Sequence, residues 1–307
     1  MKKCKTNEFV FVSNSGGGTV SVIDLKTNTV LSTIQVGKSP NGLSVSPNKK
    51  YVYVANSSSQ SVSVIGVKDR KVIHTISVGK DPFAITFGHE GSKAYITNSG
   101  NGTVSVVDTK CFKETKRISV GNQPKGIVQA HKSKYVYVVN LGSNSVSVID
   151  TKTDVVVKSI IVGENPIDVK LSPDEKYLYV TNLGSSTVSI IETKSFNEIK
   201  SIPVGNSPAG IEVSSNGEYI YTANNVDNSV TVINTKTGEM SAIKVGEIPF
   251  GLAIDSEKNR LFVANLGAGT VSVINFKKKS NFEFESDVEE VTVEKFPLEL
   301  IYYKNEE

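Results

Sequence analysis

Cysteine, histidine and tryptophan are nearly or wholly missing from this sequence. Its 307 residues include 2 cysteines, 3 histidines and no tryptophan. Cys4 and Cys111 have neither CxxC spacing nor a Cys/His cluster around them, so they predict neither a zinc site nor a disulfide framework. We expect two unpaired thiols in a reducing compartment, in a chain long enough to bury a stable core without cross-links.

Signatures of catalysis and of membrane insertion are missing as well. The sequence contains no GxSxG, HExxH, Cys/His nucleophile pair or phosphate loop, which favours a non-enzymatic function without a cofactor. A net charge of +3 is too small for a polybasic protein. No apolar run approaches the roughly 18 residues of a membrane span, and the first residues, MKKCKTN, are mostly polar. We therefore expect a cytoplasmic, monomeric protein with no signal peptide.

Repetition is what the sequence has in abundance. An aromatic tetrapeptide that ends in asparagine, such as YVTN, occurs seven times, with five steps of 42 residues and one of 41. The copies begin at Phe11, Tyr53, Tyr95, Tyr137, Tyr179, Tyr221 and Phe262. Such a period indicates a repeat architecture in which each copy is one structural unit.

Each copy contains four runs of strand-forming residues separated by Ser, Asn, Gly and Lys turns. In the second copy these runs are residues 42–46, 51–55, 62–65 and 72–78, here called strands A to D. Four antiparallel strands in about 42 residues are typical of one propeller blade. The sequence therefore predicts an all-β, seven-bladed β-propeller that forms a single domain over residues 1–307.

The two ends of the chain predict how the ring closes. The sequence begins within a blade, at strand B (residues 8–12), and residues 291–303 align with residues 243–255. This alignment places Pro297 on Pro249 and Leu300 on Leu252. We expect the C-terminal segment to supply strand A of the first blade, a 1+3 closure that removes the open sheet edge. A charged insertion at about 277–290 is expected to be mobile.

The repeated motifs resemble those of the YVTN family of seven-bladed β-propellers. The resemblance covers essentially the whole chain and rests on the seven tetrapeptides and on six Val-Gly-x-x-Pro links, of which Gly37/Pro40 is the first. It implies a rigid binding or scaffolding module, with a lactonase-like or lyase-like enzyme as the alternative, and it leaves an extracellular or cell-surface location open. The repeated asparagines are interpreted as structural residues that bond nearby backbone and tolerate left-handed conformations.

Positions that break the repeat are the candidates for function. Strand A lines the channel of a propeller, and the second residue after its proline is Gly or Ala in five copies but Asp168 and Glu299 in the other two. Two residues further on, Lys170 and Glu212 occupy neighbouring strands. A solvated ion network is one interpretation of this cluster. The other is a site for a small polar ligand or a divalent cation such as calcium.

The same end of the channel, called the top face, is expected to gather further side chains. Phe83, Lys125 and Phe250 lie in the links between strands D and A, so we predict that they surround the mouth. A protein or a small polar ligand is the predicted partner there.

A second candidate surface lies on the opposite, bottom face. One lysine recurs in every turn between strands C and D, and it predicts a cationic rim. The rim lysines are Lys26, Lys68, Lys110, Lys152, Lys194, Lys236 and Lys277. Solubility and repeat ancestry explain such a rim, and binding of nucleic acid or another polyanion is the alternative. His89 and His131, in equivalent bottom turns, are expected to be ordinary exposed residues and not metal ligands.

Overall fold

The structure is a computed structural model, and it describes residues 6–280 and 283–306. For residues 6, 277–280, 283–285 and 306 it describes the backbone alone. Seven four-stranded antiparallel sheets make up the described chain, and each sheet is one blade. The predicted seven-bladed propeller is confirmed, and the described residues contain no helix long and apolar enough to span a bilayer.

Strands A and B form the inner half of each blade. The A strands, from blade 1 to blade 7, are β28 (Pro297–Glu306), β4 (Pro40–Val45), β8 (Pro82–Phe87), β12 (Pro124–Gln129), β16 (Pro166–Leu171), β20 (Pro208–Val213) and β24 (Pro249–Asp255). The B strands are β1 (Thr6–Asn14), β5 (Tyr51–Asn56), β9 (Lys93–Asn98), β13 (Tyr135–Asn140), β17 (Tyr177–Asn182), β21 (Tyr219–Asn224) and β25 (Arg260–Asn265).

Strands C and D form the outer half. The C strands are β2 (Thr19–Asp24), β6 (Ser61–Gly66), β10 (Thr103–Asp108), β14 (Ser145–Asp150), β18 (Thr187–Glu192), β22 (Ser229–Asn234) and β26 (Thr270–Ser280). The D strands are β3 (Thr29–Gln35), β7 (Lys71–Ser77), β11 (Lys113–Ser119), β15 (Val155–Ile161), β19 (Asn197–Pro203), β23 (Met240–Lys244) and β27 (Glu283–Thr292). Two 3-10 turns lie at Ser57–Ser59 and Leu141–Ser143.

Burial follows from the packing of blades against each other. Strands B and C are covered on both faces, so both Val54 and its neighbour Tyr53 are buried in β5. Strand D has one buried position near its end, Ile76 in β7. Its other residues are exposed or partly exposed. The apolar core therefore consists of layers between adjacent sheets, as two-sided burial requires.

The seven repeated asparagines are structural, but their predicted geometry was wrong. Asn56 and Asn140 are extended, with φ of −108° and −113°, and not left-handed. Each of the seven side-chain amides donates to two hydroxyls of strand C in its own blade, at 2.8–3.3 Å; Asn56, for example, reaches Ser61 and Ser63. The small serines of strand C are thus hydrogen-bond acceptors for a buried amide, which would be costly to leave unpaired.

The links between blades pack against these asparagines. A Cβ atom on Gly37 would lie 2.6 Å from Cγ of Asn56, and the glycines of the other five Val-Gly-x-x-Pro links are equally close to their own asparagine. The residue before each blade's first proline is left-handed, with φ between 48° and 56°. Its carbonyl accepts a hydrogen bond from the residue after the asparagine, as Ser39 does from Ser57 at 3.0 Å. This bond helps to hold an otherwise unfavourable conformation.

The predicted 1+3 closure of blade 1 is confirmed. Strand β28 pairs with β1 in antiparallel register, with Val10 opposite Tyr302 and Val12 opposite Leu300. Leu300 is buried and Tyr302 packs against the same apolar cluster. The ring therefore closes by main-chain pairing between the two ends of the described chain, so β1 is not an edge strand.

The charged insertion at about 277–290 lies largely within paired strands. Strands β26 and β27 are longer than their equivalents and remain paired from Thr270 and Thr292 outward to Ser280 and Glu283. The extra residues therefore lengthen the outer hairpin of blade 7. The backbone hydrogen bonds of an antiparallel pair can continue outward for as long as both strands remain extended. Residues 281 and 282, at its tip, lie outside the described chain.

Candidate ligand site in the central channel

The seven A strands surround a channel whose top contains a cavity of about 210 Å³. Adjacent A strands approach closely there: a Cβ atom on Gly42 would lie 2.6 Å from the carbonyl oxygen of Phe83, and one on Gly126 would lie 2.9 Å from Cα of Asp168. A Cβ on Gly210 would collide with the carbonyl oxygen of Phe250. This close approach explains why small residues dominate this position around the ring.

Asp168 lies on the channel wall and leans toward blade 6. Its Oδ1 accepts the N–H of Val169 at 2.8 Å, and its Oδ2 accepts the N–H of Ile211 on the next A strand at 3.1 Å. Burial raises the pKa of this carboxyl, although Lys170 and the two N–H groups oppose that rise. Asp168 still lines the cavity, so its carboxylate is both a link between two blades and a group that a ligand can reach.

Lys170 and Glu212 form an ion pair across two blades. The ammonium Nζ is 2.7 Å from Oε1 of Glu212, and the side chains are 36% and 15% exposed to the channel. Burial alone would lower the pKa of Lys170, but Glu212, Asp168 and Glu299 together raise it above its ordinary value. This lysine is therefore a fixed positive charge and not a proton donor at neutral pH.

Glu299 comes from the C-terminal strand and lies over Gly251. A Cβ atom on that glycine would be 2.7 Å from Oε2 of Glu299, so the absent side chain makes room for the carboxyl. Burial, followed by the negative charge of Asp168 and of Glu212, raises the pKa of Glu299 to about 8. At neutral pH this carboxyl therefore holds a proton for much of the time.

The predicted aromatic and cationic residues also meet at this end of the channel. Phe83 and Phe250 line the cavity, and the Nζ of Lys125 lies 4.3 Å above the ring of Phe83. Burial lowers the pKa of Lys125, and Asp81 opposes that change. The structure thus places all seven predicted residues at one end of the channel, six of them in the cavity wall and Lys125 beside it.

Two residues near the mouth were missed by the sequence reasoning. The left-handed position before the proline is polar in five links but is Ile248 and Phe296 in the last two, where the side chains are 42% and 53% exposed. A β-branched or bulky residue is unfavourable at positive φ. The signal in the sequence was an apolar residue at a position that is polar in the other five links, and it is visible once the links are aligned.

The residues predicted on the bottom face are exposed, and some of them already have partners within the fold. Six of the rim lysines are exposed, and Lys236 forms an ion pair of 2.6 Å with Glu218. For the seventh, Lys277, the structure describes only the backbone. The rings of His89 and His131 are 6.0 Å apart on exposed turns. Cys111 is an exposed free thiol, and Cys4 lies outside the described residues.

The described residues contain no group of three or more His, Cys, Asp or Glu side chains that could hold a metal ion. The channel carboxylates as placed therefore do not form a ready cation cage, and a calcium ion there stays a prediction for titration.

Comparison with solved structures supports the fold. A candidate 6-phosphogluconolactonase from Bacteroides uniformis superposes with a TM-score of 0.83 at 17% identity, covering 97% of this chain and 99% of the other. The periplasmic gluconolactonase of Pseudomonas aeruginosa gives 0.80 at 15% identity, with coverages of 97% and 99%. Kuenenia stuttgartiensis hydrazine synthase gives 0.80 at 24% identity, with coverages of 86% and 91%.

Comparison at the level of sequence assigns the family. A search of curated protein sequences finds no match. The model of seven-bladed β-propeller lactonases matches residues 192–294. The model of YNCE-like β-propellers matches residues 3–92 and 89–183, which together span more than half of the chain. The chain therefore belongs to the YNCE-like β-propeller family.

Proposed function

We propose that this protein is a binding module that holds a small polar ligand at the top of its channel. One observation carries the proposal: three carboxyl groups share a cavity of about 210 Å³ with a single ammonium group, that of Lys170. Lys170 pairs with Glu212, so among the described residues that line the cavity no cation lies at hydrogen-bond distance from Asp168 or Glu299. A ligand that brings positive charge or several hydrogen-bond donors would relieve this imbalance.

The size and the walls of the cavity narrow the ligand class. Its volume is below the roughly 300–1,000 Å³ of sites for drug-sized molecules, so the ligand is small. Carboxylates accept hydrogen bonds, and Phe83 and Phe250 add an apolar surface beside them. An amine or a polyol with an apolar face, such as a monosaccharide ring, has the complementary chemistry.

The test is a calorimetric and thermal-shift titration of the wild type with a panel of amines, monosaccharides and calcium. Asp168→Asn and Glu299→Gln each keep the shape of the side chain and remove its negative charge, so both are expected to fold and to weaken binding at least tenfold, the effect of losing one charge-assisted hydrogen bond. Glu198→Gln, on the exposed outer strand of blade 5, is the matched control and should bind like the wild type. Identical titrations for all four proteins would contradict the proposal.

The second candidate function is a lactonase-like hydrolase. Its support is the match of residues 192–294 to the lactonase model together with the named lactonases among the similar structures. Hydrolysis of a cyclic ester needs a group that activates water and a group that protonates the leaving alkoxide. Glu299, with its raised pKa of about 8, has the character of the proton donor, and Asp168 has that of the proton acceptor.

Lactone hydrolysis separates the two functions. Aldonolactones are followed by continuous proton release, with the spontaneous rate subtracted. The hydrolase alternative expects turnover that falls by about 100-fold or more in Asp168→Asn, the scale of one acid or base group, and that is unchanged in Glu198→Gln. Binding without turnover leaves the module function and removes the enzyme.

A further inference from the structure

A groove of about 640 Å³ lies on the bottom face where blades 1 and 2 meet. Four of its lining residues are basic: Lys49, Lys50, Lys68 and Arg70. Asp69 is the single carboxylate among the described residues that line it. The volume falls within the roughly 300–1,000 Å³ of sites for small molecules, so this groove is large enough for a compact ligand and is formally positive.

The basic side chains of this groove differ from several on the same face. Lys93 is 2.9 Å from Asp154, Lys134 is 2.5 Å from Asp150, and Lys236 is 2.6 Å from Glu218. Within the described part of the chain, the side chains of Lys49, Lys50, Lys68 and Arg70 have no such ion pair and no hydrogen bond. Their charges therefore stay available to a ligand, because no carboxylate, Asp69 included, lies within ion-pair distance of them in the described chain.

Gly66 is the feature that distinguishes this turn from the equivalent turns of the other blades. At the end of strand C, the other blades carry an acidic residue or an asparagine: Asp24, Asp108, Asp150, Glu192, Asn234 and Asn275. Blade 2 has a glycine, although its φ is not positive and a Cβ atom would find only ordinary contacts, the nearest at 3.6 Å from Ile73. Neither backbone conformation nor crowding requires glycine here. Its effect is that no acidic or amide side chain occupies this position at the groove.

Part of the groove wall is aromatic. The rings of Phe9 and Tyr303 stack with centroids 6.3 Å apart and planes 17° apart, and Tyr51 lines the groove beside them. The Tyr303 hydroxyl donates to the carbonyl of Lys49 at 3.1 Å, which holds the basic turn against this wall. A ligand in the groove therefore meets both basic side chains and aromatic residues, of which Tyr303 is buried and Phe9 and Tyr51 are partly exposed.

From this arrangement we infer a binding site for a phosphate ester of nucleotide size. The guanidinium of Arg70 can bind two phosphate oxygens at once, and the lysines add point charges. The aromatic wall suits a planar or apolar ligand body, and the side-chain amides of Asn7, Asn48 and Asn305 at the groove are suited to hydrogen-bond its polar edges. The site is on the face opposite the channel mouth and is independent of the function proposed above.

The test is calorimetric titration at low salt with adenosine monophosphate, ribose 5-phosphate, inorganic phosphate and a single-stranded oligonucleotide. We expect saturable binding of one adenosine monophosphate per chain, tighter than that of inorganic phosphate. Gly66→Asp introduces the carboxylate that four other blades carry at this position and should weaken this binding at least tenfold, as should Arg70→Gln. Asn234→Asp, which adds the same charge at the equivalent position of blade 6, is the matched control and should bind normally.

Three outcomes would overturn the inference. The first is no binding of adenosine monophosphate by the wild type. The second is an equal loss in Gly66→Asp and Asn234→Asp, because general charge and not this groove would then be responsible. The third is binding of the oligonucleotide alone, which would assign the face to a polyanion. Circular dichroism checks that each variant folds. If Gly66→Asp does not fold, Arg70→Gln still tests the inference.

Discussion

Two clusters of four charged residues lie in this propeller, and they are built differently. The closure cluster consists of Glu8, Asp255, Lys258 and Arg260, where blade 7 meets blade 1, and has two charges of each sign. Arg260 reaches Glu8 at 2.9 Å and Asp255 at 2.7 Å, and all three side chains are nearly buried.

The channel cluster consists of Asp168, Lys170, Glu212 and Glu299 and has three acidic groups against one lysine. In the closure cluster each buried carboxylate has a cation at hydrogen-bond distance, whereas in the channel the pKa of Asp168 and that of Glu299 are raised. A balanced buried cluster serves structure, because every group is satisfied within the fold. An unbalanced cluster facing a cavity can be completed by a ligand or a proton, which is why the proposed function is in the channel.

Deleting residues 296–307 should have the largest effect, because it damages both clusters at once. Strand β28 carries Glu299 and is the inner partner of β1, the strand that carries Glu8. Removing the buried Leu300 and Tyr303 costs roughly 2–5 kcal/mol for each large side chain, against a total stability of about 5–15 kcal/mol. The truncated protein should aggregate or melt far below the full chain in calorimetry. A soluble truncation with an unchanged melting temperature would refute the closure.

Arg260→Met should give the next largest effect by breaking the closure cluster alone. Its removal leaves the buried carboxylates of Glu8 and Asp255 without this partner, and losing one member of a buried ion pair costs about 3–5 kcal/mol. Chemical denaturation should show a lower midpoint with an unchanged slope.

Lys258→Met is the matched control for that variant. The Lys258 side chain is 53% exposed although it also contacts Glu8, so its loss should cost no more than about 1 kcal/mol. If the two variants are destabilised equally, burial is not what distinguishes the members of the closure cluster.

Glu299→Gln should cost the least stability of the variants aimed at the two clusters, and its effect should show the clearest dependence on pH. The pKa of Glu299 is raised from 4.5 to about 8 in the folded state, so the folded protein binds the extra proton between these values. Its stabilising contribution is full below pH 4.5 and is lost as the pH rises toward 8. The wild type should therefore lose more melting temperature than Glu299→Gln between pH 5 and pH 8.

Thermal melts at several pH values measure this difference. The matched control is Glu198→Gln, on the solvent-exposed face of an outer strand, which should follow the wild type. Parallel curves for wild type and Glu299→Gln would show that the channel carboxyl is not desolvated.

The fold was predictable because its information is local and repeated. A proline, a YVTN-type tetrapeptide and a Thr/Ser-Val-Ser-Val-Ile run recur in each copy, and the strands lie within one or two residues of the predicted bounds in blade 2. The asparagine conformation was not predictable from these motifs, because the partners of its amide, such as Ser61 and Ser63 for Asn56, are five and seven residues away across a turn. The length of the outer hairpin of blade 7 was also missed, because strands were predicted from apolar and aromatic residues and this hairpin is extended by charged ones.

The candidate site was predictable in its members but not in its contacts. Counting two residues from each proline selects Asp168 and Glu299, since A strands are equivalent around the ring. The count does not show that Asp168 accepts the N–H of Ile211 from the next blade, or that the side chain of Glu299 lies over Gly251. Those contacts depend on how closely neighbouring strands approach.

The sequence by itself determined the number of blades, the strands within each and the residues that face the channel, because periodicity and alternation are properties of neighbouring residues. Only the tertiary structure decided which charges meet. Glu8 and Arg260 are 252 residues apart and pair at 2.9 Å because the ring closes. Lys134 pairs with Asp150 in blade 4, whereas Lys50, at the equivalent position of blade 2, faces a turn in which Gly66 replaces that carboxylate. Electrostatic partners are set by distances through space, and in a closed ring these bring together residues from opposite ends of the chain.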